Sequence, residues 1–124
     1  MIKQFILVAI GGAFGSMLRY ACSLFFRSTN QTFPLSTFIV NCIGSFLIGF
    51  AMAYRCKIEN QLFHLLFVVG FCGGFTTFSA FSRESIELFQ RENYSVLAFY
   101  LFITIVLCFS ATAIAFTIGR VIWK

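Results

Sequence analysis

The sequence predicts an all-α integral membrane protein with four transmembrane helices. Its composition is the first reason: of 124 residues, 60% are hydrophobic, 19% are aromatic and only 10% are charged, which is far from the average of soluble domains. The second reason is the length of the apolar runs, because a helix needs about 20 apolar residues to cross the bilayer core. Four runs reach that length, at residues 2–26, 33–54, 61–82 and 96–122. They form one domain, residues 1–124, whose surface faces membrane lipid.

The basic residues lie near the ends of these runs. The formal net charge is +5, but the basic residues form no cluster of the kind that binds nucleic acid. They are typical of topology signals and interface anchors. If the N-terminus is cytoplasmic, the inside residues are Lys3, Arg55, Lys57, Arg120 and Lys124, and the outside residues are Arg27 and Arg91. This weak bias is compatible with one fixed orientation and with insertion in both directions.

Small and polar residues in the first two runs predict close helix contacts. The segment GGAFGS at residues 11–16 presents small residues at helical spacing, which lets another backbone approach closely. Arg19 follows in the same apolar run, where it either snorkels to the headgroups or pairs with another group. Asn41 lies in the middle of the second run, and its amide is interpreted as a link between helices ahead of a role in ligand binding.

The fourth run and the cysteines carry weaker signals. Tyr100, Thr104, Cys108 and Thr112 recur every four residues and therefore share one helix face. Such hydroxyls often bond their own helix backbone, so the stripe alone does not define a site. The five cysteines are an odd number without C-x-x-C spacing, and they are interpreted as small apolar residues rather than as a metal or disulfide site.

The most informative segment is GFCGGFTTFSAFSRE at residues 70–84. Its glycines and Thr-Thr pair predict a break in the third helix near mid-membrane, and such a break has to be buried in protein or line a cavity. Phenylalanines follow the break, and the positive edges of their rings could accept a small anion. Edge contacts are weak, so hydrogen-bond donors have to help. The candidates are the amide of Asn41, the hydroxyls of Thr77 and Ser79, and the stripe on the last helix.

Three blocks, GGAFGSMLRY, VNCIGSFLIG and GFCGGFTTFSAFSRE, resemble the signature blocks of the Fluc fluoride channel family. They occur in the expected order, and the resemblance covers essentially the whole chain. It implies an antiparallel, dual-topology homodimer of four-helix subunits in the bacterial plasma (inner) membrane, with two antiparallel pores. It also implies one structural sodium ion at the dimer centre, held by the backbone carbonyls of Gly73 and Thr76. Carbonyl oxygens suit such a hard cation.

The resemblance also implies residue roles. The pore residues would be Asn41, Phe78, Phe81, Ser79, Thr77, Tyr100, Thr104 and Thr112, whereas Arg19 and Glu84 would be structural, with Glu84 near a pore vestibule. Phe75 precedes the Thr-Thr pair and is expected to be a packing residue. Cys108 departs from the pattern, because the family tends to have a hydroxyl there and a thiol is the weaker donor.

The function implied is passive export of cytoplasmic fluoride, which confers fluoride resistance. The negative interior of the cell drives the anion out, since a unit charge gains about 2.3 kcal/mol per 100 mV. No catalytic constellation is recognised, so an enzyme is not predicted. One alternative is a proton-coupled drug exporter of the small multidrug resistance type, which needs a carboxylate inside the membrane. Another is a non-transporting subunit that packs helices in a larger complex.

Overall fold

A computed structural model describes residues 1–26, 32–57 and 59–123, and the described chain is helical throughout its regular structure. The elements are α1 (Ile2–Phe25), α2 (Leu35–Lys57), α3 (Gln61–Phe63), a π-helical stretch (His64–Cys72), α4 (Gly73–Phe75), α5 (Phe78–Gln90) and α6 (Tyr94–Ile122).

Four helical segments are long and apolar enough to cross a membrane: α1, α2, the combined segment Gln61–Gln90, and α6. The prediction of four spans is therefore confirmed. The third segment continues to Gln90, beyond residue 82, and the last begins at Tyr94 rather than at residue 96. Two of the basic residues used to predict the membrane orientation, Arg27 and Lys124, lie outside the described residues.

The first and third segments pack in parallel through glycine. A Cβ atom on Gly11 would collide with the carbonyl oxygen of Leu66, and one on Gly15 would collide with the carbonyl oxygen of Phe71. Only glycine therefore permits this backbone contact, as the small-residue pattern of α1 predicts.

The second and last segments form the other parallel pair, α2 with α6. A Cβ atom on Gly49 would collide with the carbonyl oxygen of Thr112, and one on Gly119 would lie 2.6 Å from the Cβ atom of Ala53. The two helix pairs contact each other less than the helices within each pair do. The cavities described below are lined mostly by side chains of α2, α5 and α6.

Four phenylalanines form a stack along the third segment, two of them within the π-helical stretch, which the sequence did not predict. Rings four residues apart have centroids 5.2, 5.5 and 5.7 Å apart and are tilted by only 10–14°. Residues four apart are separated by about one helical turn, so their side chains lie on the same face of the segment. The stacked residues are Phe63, Phe67, Phe71 and Phe75. Phe75 is buried, which agrees with its expected packing role.

Helical geometry is interrupted between α4 and α5. Thr76 (φ −76°, ψ 156°) and Thr77 (φ −152°, ψ 115°) both have extended backbone. Thr76 ends the first part, because its N–H donates to the Cys72 carbonyl at 2.9 Å. Thr77 begins the second part, because its Oγ1 accepts a hydrogen bond from the N–H of Ala80 at 3.1 Å, as an N-cap threonine does. The candidate site surrounds this extended pair.

Candidate functional site

Asn41 on α2 compensates for the helical bonds lost at the extended pair. Its Oδ1 accepts from the Thr77 N–H at 2.8 Å, and its Nδ2 donates to the Thr77 carbonyl at 3.1 Å. This reciprocal pair satisfies two backbone groups that have no place facing lipid. The link between helices expected of Asn41 is therefore present. An amide NH2 carries two donors, so one N–H remains for a ligand or water after the bond to Thr77.

The hydrogen bond between Thr77 and Asn41 leaves the Gly73 carbonyl without its helical donor. In a continuous helix it would accept from the N–H four residues later, which belongs to Thr77, but that N–H donates to Asn41. Gly73 is exposed in the single chain, and a Cβ atom there would meet nothing within 4 Å. The structure therefore has a carbonyl without its helical donor on an open surface, which fits the oxygen ligands that a hard cation prefers.

A cavity of about 310 Å³ lies beside the extended pair and is called here the aromatic cavity. Its polar lining includes Asn41, Thr77 and Thr104, and its aromatic lining includes Phe78 and Phe81. The two rings are 5.7 Å apart and tilted by 43°. Phe81 is buried, whereas Phe78 is 78% exposed. In a single chain the cavity is thus bounded on one side by a ring that nothing covers.

Thr104 supplies the unusual polar atom of the aromatic cavity. The residue is 5% exposed, and within the described part of the chain its buried Oγ1 has no hydrogen-bond partner. Leaving a buried hydroxyl unsatisfied costs about 1–3 kcal/mol. The other hydroxyls of the stripe do have partners. Thr104 lines the cavity, but its Oγ1 is itself buried, so an ion in the cavity reaches this hydroxyl only after the side chain moves.

A second cavity, of about 270 Å³, lies on the other side of Thr77 and is called here the charged cavity. It is lined by Arg19, Arg83 and Glu84, together with small hydroxyl residues that include Ser16 and Thr37. Arg83 pairs with Glu87 at 3.1 Å and with Glu84 at 3.8 Å. Arg19 forms no ion pair with any described residue, so its positive charge faces the cavity. The predicted structural pairing of Arg19 is not seen among these residues.

Glu84 joins three helices. Its Oε1 accepts from the Thr37 hydroxyl on α2 at 2.7 Å, and its Oε2 accepts from the Tyr100 hydroxyl on α6 at 2.8 Å. Glu84 lies inside α5, six residues before its end at Gln90, because that helix continues further than the sequence analysis assumed. Both carboxylate oxygens are therefore occupied by structural contacts. Glu84 also lines the charged cavity, and its place near a pore vestibule stays a prediction.

A third cavity, of about 400 Å³, continues along α2 and α6 and is called here the threonine cavity. It is lined by Thr112, Met52 and Phe116, and it shares Ser45, Cys108 and Phe109 with the aromatic cavity. The hydroxyl of Thr112 donates to the carbonyls of Ser45 and Cys108, each at 3.0 Å. The three cavities thus follow one another from the start of α2 towards its end.

The structure brings most of the predicted pore residues to these cavities, but not all. Tyr100 is fully buried, lines none of the three, and contacts Glu84 and the Phe81 ring, at a centroid distance of 5.1 Å. Ser79 is exposed and lines none of them; its Oγ lies 3.1 Å from the Thr77 Oγ1. The sequence does not identify Thr37 and Ser45 as site residues, because an isolated hydroxyl in an apolar helix indicates a site only once the neighbouring helix is known.

Comparisons with known proteins identify the family of the chain. The model of the family described as "CrcB-like protein, Camphor Resistance (CrcB)" matches residues 6–116. A fluoride-specific ion channel from Azobacteroides pseudotrichonymphae is 43% identical over 86% of this chain and 87% of its own length. One from Listeria monocytogenes is 42% identical over 96% of this chain and 99% of its own. One from Escherichia coli is 36% identical over 94% of this chain and 93% of its own.

Proposed function

The chain belongs to the CrcB-like family, and from this membership we propose that it is a fluoride-specific ion channel. It is a multi-pass protein of the bacterial inner membrane and not an enzyme. Fluoride leaves the cytoplasm passively, down its electrochemical gradient, which confers resistance to fluoride.

One observation carries the proposal within the structure: the buried, unpartnered hydroxyl of Thr104 in the aromatic cavity. A hydroxyl in that state is destabilising, and a change of the Thr104 rotamer would let an ion in the cavity accept its hydrogen bond. The neighbouring groups are the second N–H of Asn41 and the rings of Phe78 and Phe81, whose edges are positive. A small dehydrated anion can use all of these contacts.

The order of the cavities suggests a route. Arg19, which has no ion-pair partner among the described residues, raises the concentration of anions in the charged cavity, whereas the charge of Arg83 is compensated by Glu84 and Glu87. The ion then passes Thr77 and Asn41, contacts Thr104 and the phenylalanine rings, and moves along the threonine cavity. The individual contacts are weak and numerous. Among the described residues no lysine or arginine lines the aromatic or threonine cavities, so the ion is not held too tightly to leave.

The working unit is proposed to be an antiparallel, dual-topology homodimer with two pores. The exposed ring of Phe78 supports this, because a second copy would cover the open side of the aromatic cavity. The extended pair would then lie near mid-membrane and be buried in protein, as exposed backbone groups require.

The same proposal includes one structural sodium ion between the two copies. The carbonyls of Gly73 and Thr76 are its proposed ligands, and its charge would stabilise the two interrupted helices against each other. Exchange of sodium for a large organic cation during purification should lower the fraction of dimer on size-exclusion chromatography. An unchanged dimer with no bound sodium by atomic emission would contradict this part.

Halide efflux from liposomes tests the function. Purified protein is reconstituted with internal potassium fluoride or potassium chloride, valinomycin fixes the potential, and an ion-selective electrode records release. Rapid fluoride release with negligible chloride release is expected. A folded protein that releases neither halide would contradict the proposal, and a proton-coupled drug-efflux assay would then test the exporter alternative.

A further inference from the structure

The thiols of Cys42 on α2 and Cys108 on α6 meet across the interface of these two helices. Their sulfur atoms are 4.0 Å apart, although the residues are 66 positions apart in the sequence. Neither forms a disulfide. Spacing alone did not reveal this pair, and the fluoride route proposed above gives no role to Cys42.

The distance between the sulfurs favours one kind of ligand. A disulfide would require them to approach to about 2.05 Å. A metal ion held between two sulfurs, with metal–sulfur bonds of about 2.3 Å as for zinc, would place them about 4.6 Å apart when the arrangement is linear. The observed 4.0 Å is much nearer to the second value. A bridging metal ion therefore needs less movement of α2 and α6 than a disulfide does.

The number of ligands and their charge narrow the choice of metal. The described residues contain no group of three or more His, Cys, Asp or Glu side chains that could hold a metal ion. Zinc prefers four ligands and is poorly served by two sulfurs. Thiolates prefer soft metals. Because an uncompensated charge inside a membrane protein is costly, two thiolates with one divalent ion form the favourable, neutral combination.

We propose that Cys42 and Cys108 together bind one soft divalent metal ion that accepts two-coordinate geometry, mercury(II) being the ion that fits, and that the bound ion closes the route for fluoride. On binding, two S–H bonds break, two sulfur–mercury bonds form and two protons leave to water, with no transfer of electrons. The second part rests on the proposed function. Cys108 lines both the aromatic and the threonine cavity, so an ion at its sulfur occupies the junction between them.

Binding is tested on the purified full chain with one equivalent of mercury(II) nitrate in chloride-free buffer. X-ray absorption at the mercury edge counts the sulfur ligands. We expect two sulfurs in the wild type and in Cys56→Ser, a control that removes an exposed cysteine near the end of α2. We expect fewer than two in Cys42→Ala and in Cys108→Ser. Two sulfurs in either of these variants, or one in the wild type, would overturn the site.

Closure is tested by fluoride efflux from liposomes. Mercury(II) should stop release by the wild type and by Cys56→Ser, and dithiothreitol should restore it. Cys42→Ala should need at least about tenfold more mercury, because it loses the second attachment point. Zinc(II) at the same concentration should have little effect. Two-sulfur binding with undiminished efflux would overturn closure.

The two proposals fail in distinguishable ways. Absence of fluoride release before any mercury is added would contradict the proposed channel function. The sulfur count would still decide whether Cys42 and Cys108 form the metal site, because it does not depend on transport.

Discussion

The two parallel helix pairs of this protein are held together by different means. On one side, α1 and the π-helical stretch meet backbone to backbone at Gly11 and Gly15, with few polar side chains between them. On the other side, α2, α5 and α6 are connected by side-chain hydrogen bonds that involve Asn41, Glu84 and Thr112. The first pair is a close-packed support. The second contains cavities and one unpartnered hydroxyl, so the capacity to bind an ion lies where packing is incomplete.

The largest expected effect is on the close-packed side. Gly11→Ala should prevent folding, because the Cβ atom collides with the Leu66 carbonyl. The measurement is the yield of monodisperse protein on size-exclusion chromatography. Gly12→Ala is the matched control: a Cβ atom at Gly12 has no neighbour nearer than the Gly70 carbonyl at 3.8 Å. Equal yields of the two variants would show that the glycine contact is not essential.

Removal of the Asn41 amide should affect both stability and transport. Asn41→Ala leaves the N–H and carbonyl of Thr77 without their partners, at a cost of about 1–3 kcal/mol for each buried group. We expect a lower melting temperature in detergent and almost complete loss of fluoride efflux. Asn41→Asp keeps an acceptor for the Thr77 N–H but adds a negative charge, so it should recover part of the stability and none of the efflux.

The ring-edge contacts are tested by replacing an aromatic ring with an aliphatic side chain. Phe78→Ile and Phe81→Ile retain an apolar side chain but remove the positive ring edge, so each should sharply lower fluoride efflux. Phe102→Ile, at a position 67% exposed on α6 that lines none of the three cavities, is the control and should behave as the wild type. Undiminished efflux in both Phe78→Ile and Phe81→Ile would contradict the ring-edge contacts.

A smaller effect is expected at Thr112, where the hydroxyl already has protein partners. Thr112→Val loses the bonds to the Ser45 and Cys108 carbonyls, so it should lower stability by about 1 kcal/mol. Efflux should fall less than in a variant that loses the Thr104 hydroxyl. Thermal unfolding in detergent and efflux, measured on the same preparation, check both parts. If efflux falls further in Thr112→Val than in the Thr104 variant, the Thr112 hydroxyl contributes more to fluoride transport than the Thr104 hydroxyl, which contradicts this account.

The sequence predicts the spans and the close-packed side well, for physical reasons. Long apolar runs can only be spanning helices, and small residues at helical spacing mark a close backbone contact. Glycines and β-branched residues are poor helix formers next to each other, and the backbone at Thr76 and Thr77 is extended; the position of a break near mid-membrane stays a prediction. These features depend on residues that are close in the sequence.

The features that escaped prediction depend on the register between distant segments. The π-helical stretch cannot be read from its apolar residues, since they suit an α-helix equally well. The contact of Cys42 with Cys108, and the bonds of Glu84 to Thr37 and Tyr100, exist only once α2 and α6 are aligned. The sequence does predict the stripe of four polar residues on α6. It does not predict which of their hydroxyls form hydrogen bonds and that the Thr104 hydroxyl has no partner among the described residues.

The most direct test of the central claim compares Thr104→Val with Thr117→Val. The hydroxyl of Thr117 lies on the exposed side of α6 and donates to the Ala113 carbonyl. Removal of the unpartnered Thr104 hydroxyl should leave the melting temperature unchanged or raise it, while fluoride efflux falls at least about tenfold, equivalent to about 1.4 kcal/mol in the barrier. Thr117→Val should leave efflux unchanged. If Thr104→Val keeps full efflux, whatever its stability, the Thr104 hydroxyl is not a ligand of the permeating ion and the account is wrong.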